Sequence, residues 1–149
     1  MRLFIPLIFG FLAMASGALA QELPWAEGQV KELCKQEWPE DFSMQAYCVR
    51  NNKAGHIAFI KLTKKNDPEL FKNPFSNCVS EWGIQWDMVA YCAGQQVEGQ
   101  RAIGNNVKGL PEGIAQRIVK RCKQEWRDDY SMIAYCSNQQ ASAWDELNK

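Results

Sequence analysis

Apolar residues recur along this chain at helical steps. Val30, Leu33, Cys34 and Trp38 share one helical face, and so do Ile114, Ile118, Cys122 and Trp126. Met44, Tyr47 and Cys48 show the i, i+3, i+4 pattern, and near the end of the chain a stripe runs on through Ala143, Trp144 and Leu147. In the middle, Leu70, Phe75, Cys78 and Trp82 make a comparable face. Pro74 should delay or kink that helix, because it lacks an N–H and its ring crowds the preceding turn.

Punctuation residues divide these faces into pairs. Pro24, Pro68 and Pro111 precede the first helix of each pair, and proline suits a first helical turn. Pro39 and Gly83 follow Trp38 and Trp82, where a helix should stop. Ser43, Asp87 and Ser131 are good N-caps for the second helix. The aromatic before each cap (Phe42, Trp86, Tyr130) and the tyrosine four residues after it (Tyr47, Tyr91, Tyr135) then predict a hydrophobic staple. Residues 53–65 can extend the second helix of the first pair, and 104–109 (GNNVKG) reads as a loop.

The pairs are copies of one unit. Cysteines stand at 34, 48, 78, 92, 122 and 136, so partners are 14 apart and successive pairs are 44 apart. The three cores read CKQEWPEDFSMQAYC, CVSEWGIQWDMVAYC and CKQEWRDDYSMIAYC, identical at seven of 15 positions: Cys, Glu, Trp, Met, Ala, Tyr and Cys. This is an internal repeat. In an antiparallel hairpin, C-x13-C sets the two cysteines level with each other below the bend. The predicted bridges are therefore Cys34–Cys48, Cys78–Cys92 and Cys122–Cys136, the pairing that all three copies can make identically. A single unit has too little core to fold alone, and staples plus stacking resolve that. The expected fold is all-α: three tandem disulfide-stapled helical hairpins with a 44-residue repeat, able to stack as a short solenoid.

Residues 1–20 differ from the rest. Arg2, an apolar run from 3 to about 15, and Ala18-Leu19-Ala20 make the three-part pattern of a secretory signal peptide with an A-x-A cleavage site. The run is shorter than the ~20 residues that span a bilayer. The expected organisation is a signal peptide at 1–20 and a single helical domain at 21–149, with repeats at about 24–65, 68–104 and 111–147. Export fits an even number of cysteines in disulfides. No later segment is apolar enough to span a membrane. The expected product is secreted or periplasmic.

Charge narrows the function classes. Seventeen basic and 17 acidic side chains cancel across 149 residues, which is not the basic footprint of a nucleic-acid binder. The recurring Trp, Met and Tyr could line a ligand groove, but their helical spacing on the cysteine face favours a core role. On that reading Trp126→Ala costs ~3–5 kcal/mol. Glu37, Glu81 and Glu125 recur one residue before each Trp, either solvated or serving a helix N-terminus. Amide pairs follow each second cysteine: Asn51-Asn52, Gln95-Gln96 and Gln139-Gln140. They form a hydrogen-bonded ladder between stacked hairpins or a polar binding groove. Glu37, Glu81, Glu125, Gln95, Gln96, Gln139 and Gln140 are thus the candidate surface-binding residues.

His56 is the single histidine and reads as a surface residue. G-x-S-x-G, H-E-x-x-H and Gly-rich phosphate loops are absent, and C-x13-C is neither a redox nor a zinc spacing. No catalytic residue, metal ligand or cofactor is expected. The expected function is an exported, non-enzymatic helical-repeat protein with a binding or structural role in the envelope or outside the cell, its partner an unknown protein or envelope ligand. Two alternatives stand beside it. One is a small secreted enzyme or enzyme inhibitor using the repeat Glu and amide residues. The other is a thiol- or metal-handling protein.

Overall fold

The computed structural model describes residues 23–149. The leader expected at 1–20 lies outside the described residues. Six helices follow in order: α1 Glu27–Glu37, α2 Phe42–Lys65, α3 Pro68–Trp82, α4 Trp86–Asn106, α5 Glu112–Trp126 and α6 Tyr130–Leu147. They form three hairpins, each stapled by a disulfide: Cys34–Cys48, Cys78–Cys92 and Cys122–Cys136, every pair with Cα atoms 5.7 Å apart.

The three second helices form a spine. α4 packs against α2 on one side and α6 on the other, while α1, α3 and α5 each lie on their own spine helix. Two apolar clusters fill the junctions. The first joins Val30, Phe59, Phe71, Phe75, Trp86 and Val89, and the second joins Ile103, Ile118, Ile133 and Ala141. Tyr130 packs against both.

Spine helices begin earlier than Ser43, Asp87 and Ser131 suggest, and in α4 no side chain of the cap residue bonds the helix start, the Trp86 N–H going to Asn52 instead. The N-caps are Asp41, Gln85 and Asp129, and the aromatic that should precede the cap is the first helical residue. Asp41 and Asp129 accept the Met44 and Met132 N–H groups at 3.0 and 3.2 Å. Ser43 and Ser131 donate their hydroxyls to those same carboxylates. A carboxylate is the stronger acceptor for an exposed N–H at the positive end of a helix, so it displaces the hydroxyl as cap. The expected staple geometry is lost with that shift.

Two further expectations are corrected. α4 continues through Gly104, Asn105 and Asn106, leaving 107–111 as the connector; Asn106 is held in place by donating to the Ala134 carbonyl at 2.8 Å and to Ser137 Oγ. Pro74 does not delay α3 but sits buried within it. Proline frees the carbonyl four residues back, here Leu70, and that oxygen accepts the Tyr130 hydroxyl of the next hairpin at 3.2 Å. The defect in one helix becomes a contact between repeats.

The hairpin bends show why the turns differ. Gly83 and Arg127 cap α3 and α5 at φ 58° and 49°. The equivalent position in the first copy is Pro39, whose ring fixes φ near −65°. α1 accordingly ends a residue earlier, and the positive φ moves to Glu40 at 67°.

Candidate binding surface

The amide ladder follows one rule, applied in the first and second copies. Asn52, four residues after Cys48, is buried; its Nδ2 donates to the Cys48 carbonyl and its Oδ1 accepts the Trp86 N–H at 2.7 Å. Gln96, four residues after Cys92, accepts the Tyr130 N–H at 2.7 Å and donates to Asp129 Oδ1 at 3.0 Å. Each amide therefore caps the spine helix of the next hairpin. Burial pushes the Asp129 carboxyl up, but the hydrogen bonds from Ser131, Gln96 and Met132 outweigh it and hold the group below the usual range. Gln95 and Gln140 are half-buried and Gln139 is exposed.

Three residues further along the same helices stand Gly55 and Gly99, both buried against the next repeat. A Cβ at Gly99 would lie 2.5 Å from the Tyr130 carbonyl oxygen, and one at Gly55 would strike the Trp86 carbonyl and Asp87 N. The repeat comparison went no further than the amide pairs, four residues past each core, and missed this glycine pair. The 44-residue period, carried seven residues past the second cysteine of each core, would have found it.

Of the recurring aromatics only Trp82 packs against a core cluster, half-buried in the first; the others lie outward. Tyr47, Tyr91 and Tyr135 are 51, 64 and 61% exposed, and Trp38 and Trp126 are also exposed. The ring that is buried is the variable one: Trp86 is 4% exposed in the first junction, and Tyr130 fills the second. The i+3 spacing was right about the shared face, but the disulfide already fills the gap between the two helices and leaves the tyrosine outside it. His56 is also not a plain surface residue. It lies between Trp25 and Trp86, with centroids 5.8 and 4.7 Å away, and its Nε2 is 2.7 Å from the Leu23 carbonyl oxygen.

Five of the seven residues common to all copies meet at one cleft. Glu37, Trp38, Met44, Tyr47 and Cys48 line it together with Asn51, Asn52, Gln85 and Asp87, around a volume of about 130 Å³. Glu37 Oε2 lies 3.6 Å from Cys48 Sγ. Glu37 and Asp87 have no ion-pair partner among the described residues. The cleft thus joins two uncompensated carboxylates to two aromatic faces, which is the chemistry that receives an organic cation. Glu81 and Glu125 are exposed at the corresponding places in the other hairpins, so the structure does not bring a second repeat glutamate into this cleft.

All six cysteines are paired, leaving no free thiol. Among the described residues no group of three His, Cys, Asp or Glu side chains is placed to hold a metal ion. No described helix is long and apolar enough to cross a membrane. No protein-family model, curated protein or solved structure matches the chain.

Proposed function

We propose that this is an exported, non-enzymatic binding protein, released by removal of residues 1–20 into the periplasm or the medium, and that it binds a cationic group at the cleft around Glu37, with the Glu, Trp, Met and Tyr of that cleft repeated in the other two hairpins. Three disulfides fit an oxidising compartment. The observation that carries the binding role is that Glu, Trp, Met and Tyr are kept in every copy although the tyrosines stand more than half in solvent. Packing does not require exposed side chains to repeat, whereas a repeated ligand contact does. Carboxylate plus two aromatic faces suits an alkylammonium group, with cation–π contacts adding ~0.5–2 kcal/mol each. A ligand bearing several such groups gains from linkage, because the second and third contacts are intramolecular.

Titration with oligolysines of increasing length, followed by tryptophan fluorescence, tests this. Affinity should rise steeply with length, should weaken on Glu37→Gln or Tyr47→Ala with the melting temperature unchanged, and should be absent for oligoglutamate. Equal response to both polymers, or no gain with length, overturns the reading.

A further inference from the structure

The two ends of the spine are exposed halves of the same junction. Phe42 occupies the position of Trp86 and Tyr130 one and two repeats on, yet it is 78% exposed where Trp86 is 4%. Its N–H has none of the amide partners that the Trp86 and Tyr130 N–H groups have. Leu147 occupies the position of Phe59 and Ile103, both buried, yet it is 85% exposed. These are the highest exposures among the large described hydrophobics.

Around Phe42 lies a groove of about 620 Å³, lined among others by Lys31, Lys35, Ala46, Val49 and Arg50. One repeat on, the same positions are Phe75, Val79, Ala90, Ala93 and Gly94; the first four are packed in the cluster that α2 shares with α3 and α4. The groove is therefore the face on which a preceding hairpin would sit. It keeps the apolar floor (Phe42, Ala46, Val49) and adds a rim of three cations and one carboxylate, Glu32, so that cations predominate. Lys31 pairs with Glu27 at 2.6 Å, whereas Lys35 and Arg50 have no ion-pair partner among the described residues.

The two internal junctions specify what such a face accepts. The docking helix carries an amide, a glycine three residues later and an apolar residue four further on: Asn52, Gly55, Phe59 in one case and Gln96, Gly99, Ile103 in the other. α6 offers Gln140, Ala143 and Leu147 with Asp145 and Glu146 alongside. It matches in amide and apolar residue, its acidic pair complements the cations of the groove, and it departs at Ala143. A Cβ there would meet the backbone of the docked helix as it would at Gly99, and backbone does not move aside.

We propose that the groove at Phe42 docks an acidic helix of a partner protein with the pattern Asn/Gln-x-x-Gly-x-x-x-apolar, and that the Ala143 methyl keeps a second copy of this chain out of it. The cationic rim selects for acidic flanks, and the amide caps the open end of α2. Nothing in this depends on the cleft at Glu37.

The chain itself supplies the probe. The double variant Phe42→Asp with Ala143→Gly has a disabled groove and a complete docking helix. Mixed with the wild-type chain, it should form a one-to-one complex by sedimentation velocity, with circular dichroism and three intact disulfides confirming that both partners are folded. Phe42→Asp alone should bind wild type at least about tenfold more weakly, and Phe42→Asp with Ala143→Ser, which retains a Cβ, should behave like it. Lys35→Glu with Arg50→Glu in the wild-type partner should weaken the complex by about tenfold or more, as should 0.5 M salt, which shortens electrostatic range to a few ångströms. No complex with the glycine variant overturns the docking face. Equal binding by the alanine and glycine forms overturns the role of Ala143.

Discussion

At single residues, exposure decides what a substitution costs. Trp126 repeats in every copy but lies partly in solvent, so Trp126→Ala should cost only about 1–2 kcal/mol, below the range for a fully buried ring. Trp86→Ala, at a position that changes identity between copies, should cost about 3–5 kcal/mol because it empties a closed junction. Urea midpoints of the two variants check the order. Arg127 holds φ 49° where Gly83 holds 58°, a region that strains any residue with a Cβ. Arg127→Gly should therefore stabilise by about 0.5–1 kcal/mol and raise the melting temperature by a few degrees. Asp129 supplies a pH dependence of known sign. Its folded-state pKa is depressed, so its stabilisation is present above the ordinary carboxylate range and is lost as pH falls through the lowered value. Unfolding midpoints measured from pH 6 to pH 2 should fall less steeply for Asp129→Asn than for the wild-type chain.

Helix pairs are governed by how closely two backbones approach. Gly55→Ala and Gly99→Ala each gain the helix propensity of alanine, worth up to about 1 kcal/mol, but force a spine helix away from its neighbour. The net effect should be a loss of about 1–3 kcal/mol, the usual range for overpacking. Gly94, in α4 with open space around it, is the control: Gly94→Ala should stabilise. Differential scanning calorimetry of the three variants distinguishes junction glycines from ordinary ones. This scale also shows what could be read from the chain. The hairpins and bridges were legible because C-x13-C and the i+4 stripes are local periodicities. The start of α2 was misplaced because Asp41 and Ser43 both satisfy cap chemistry, and only the fold reveals that the Asp41 carboxylate, and not the Ser43 hydroxyl, accepts the Met44 N–H. The exposed tyrosines were misplaced for a related reason. Periodicity gives a face, but it does not say how far from the partner helix that face ends.

For the whole molecule, the outer helices raise a separate question of cohesion. α1, α3 and α5 each rest mainly on one spine helix, so neighbouring outer helices add little to one another and the spine alone carries contacts from end to end. Each outer helix is short, 11 to 15 residues, a length that is marginal in isolation. The bridges hold them near their C-terminal ends, at Cys34, Cys78 and Cys122, and each closes a loop worth ~3 kcal/mol in the chain-entropy account. Three such contributions total about 9 kcal/mol, comparable with the 5–15 kcal/mol net stability of a domain of this size. Reduction should therefore unfold the protein rather than loosen it. Far-UV circular dichroism in excess dithiothreitol at neutral pH should show a loss of most helix below 37 °C, reversed on reoxidation. Retention of full helicity in the reduced form would mean that the spine, not the sulfur bridges, sets the stability of the array.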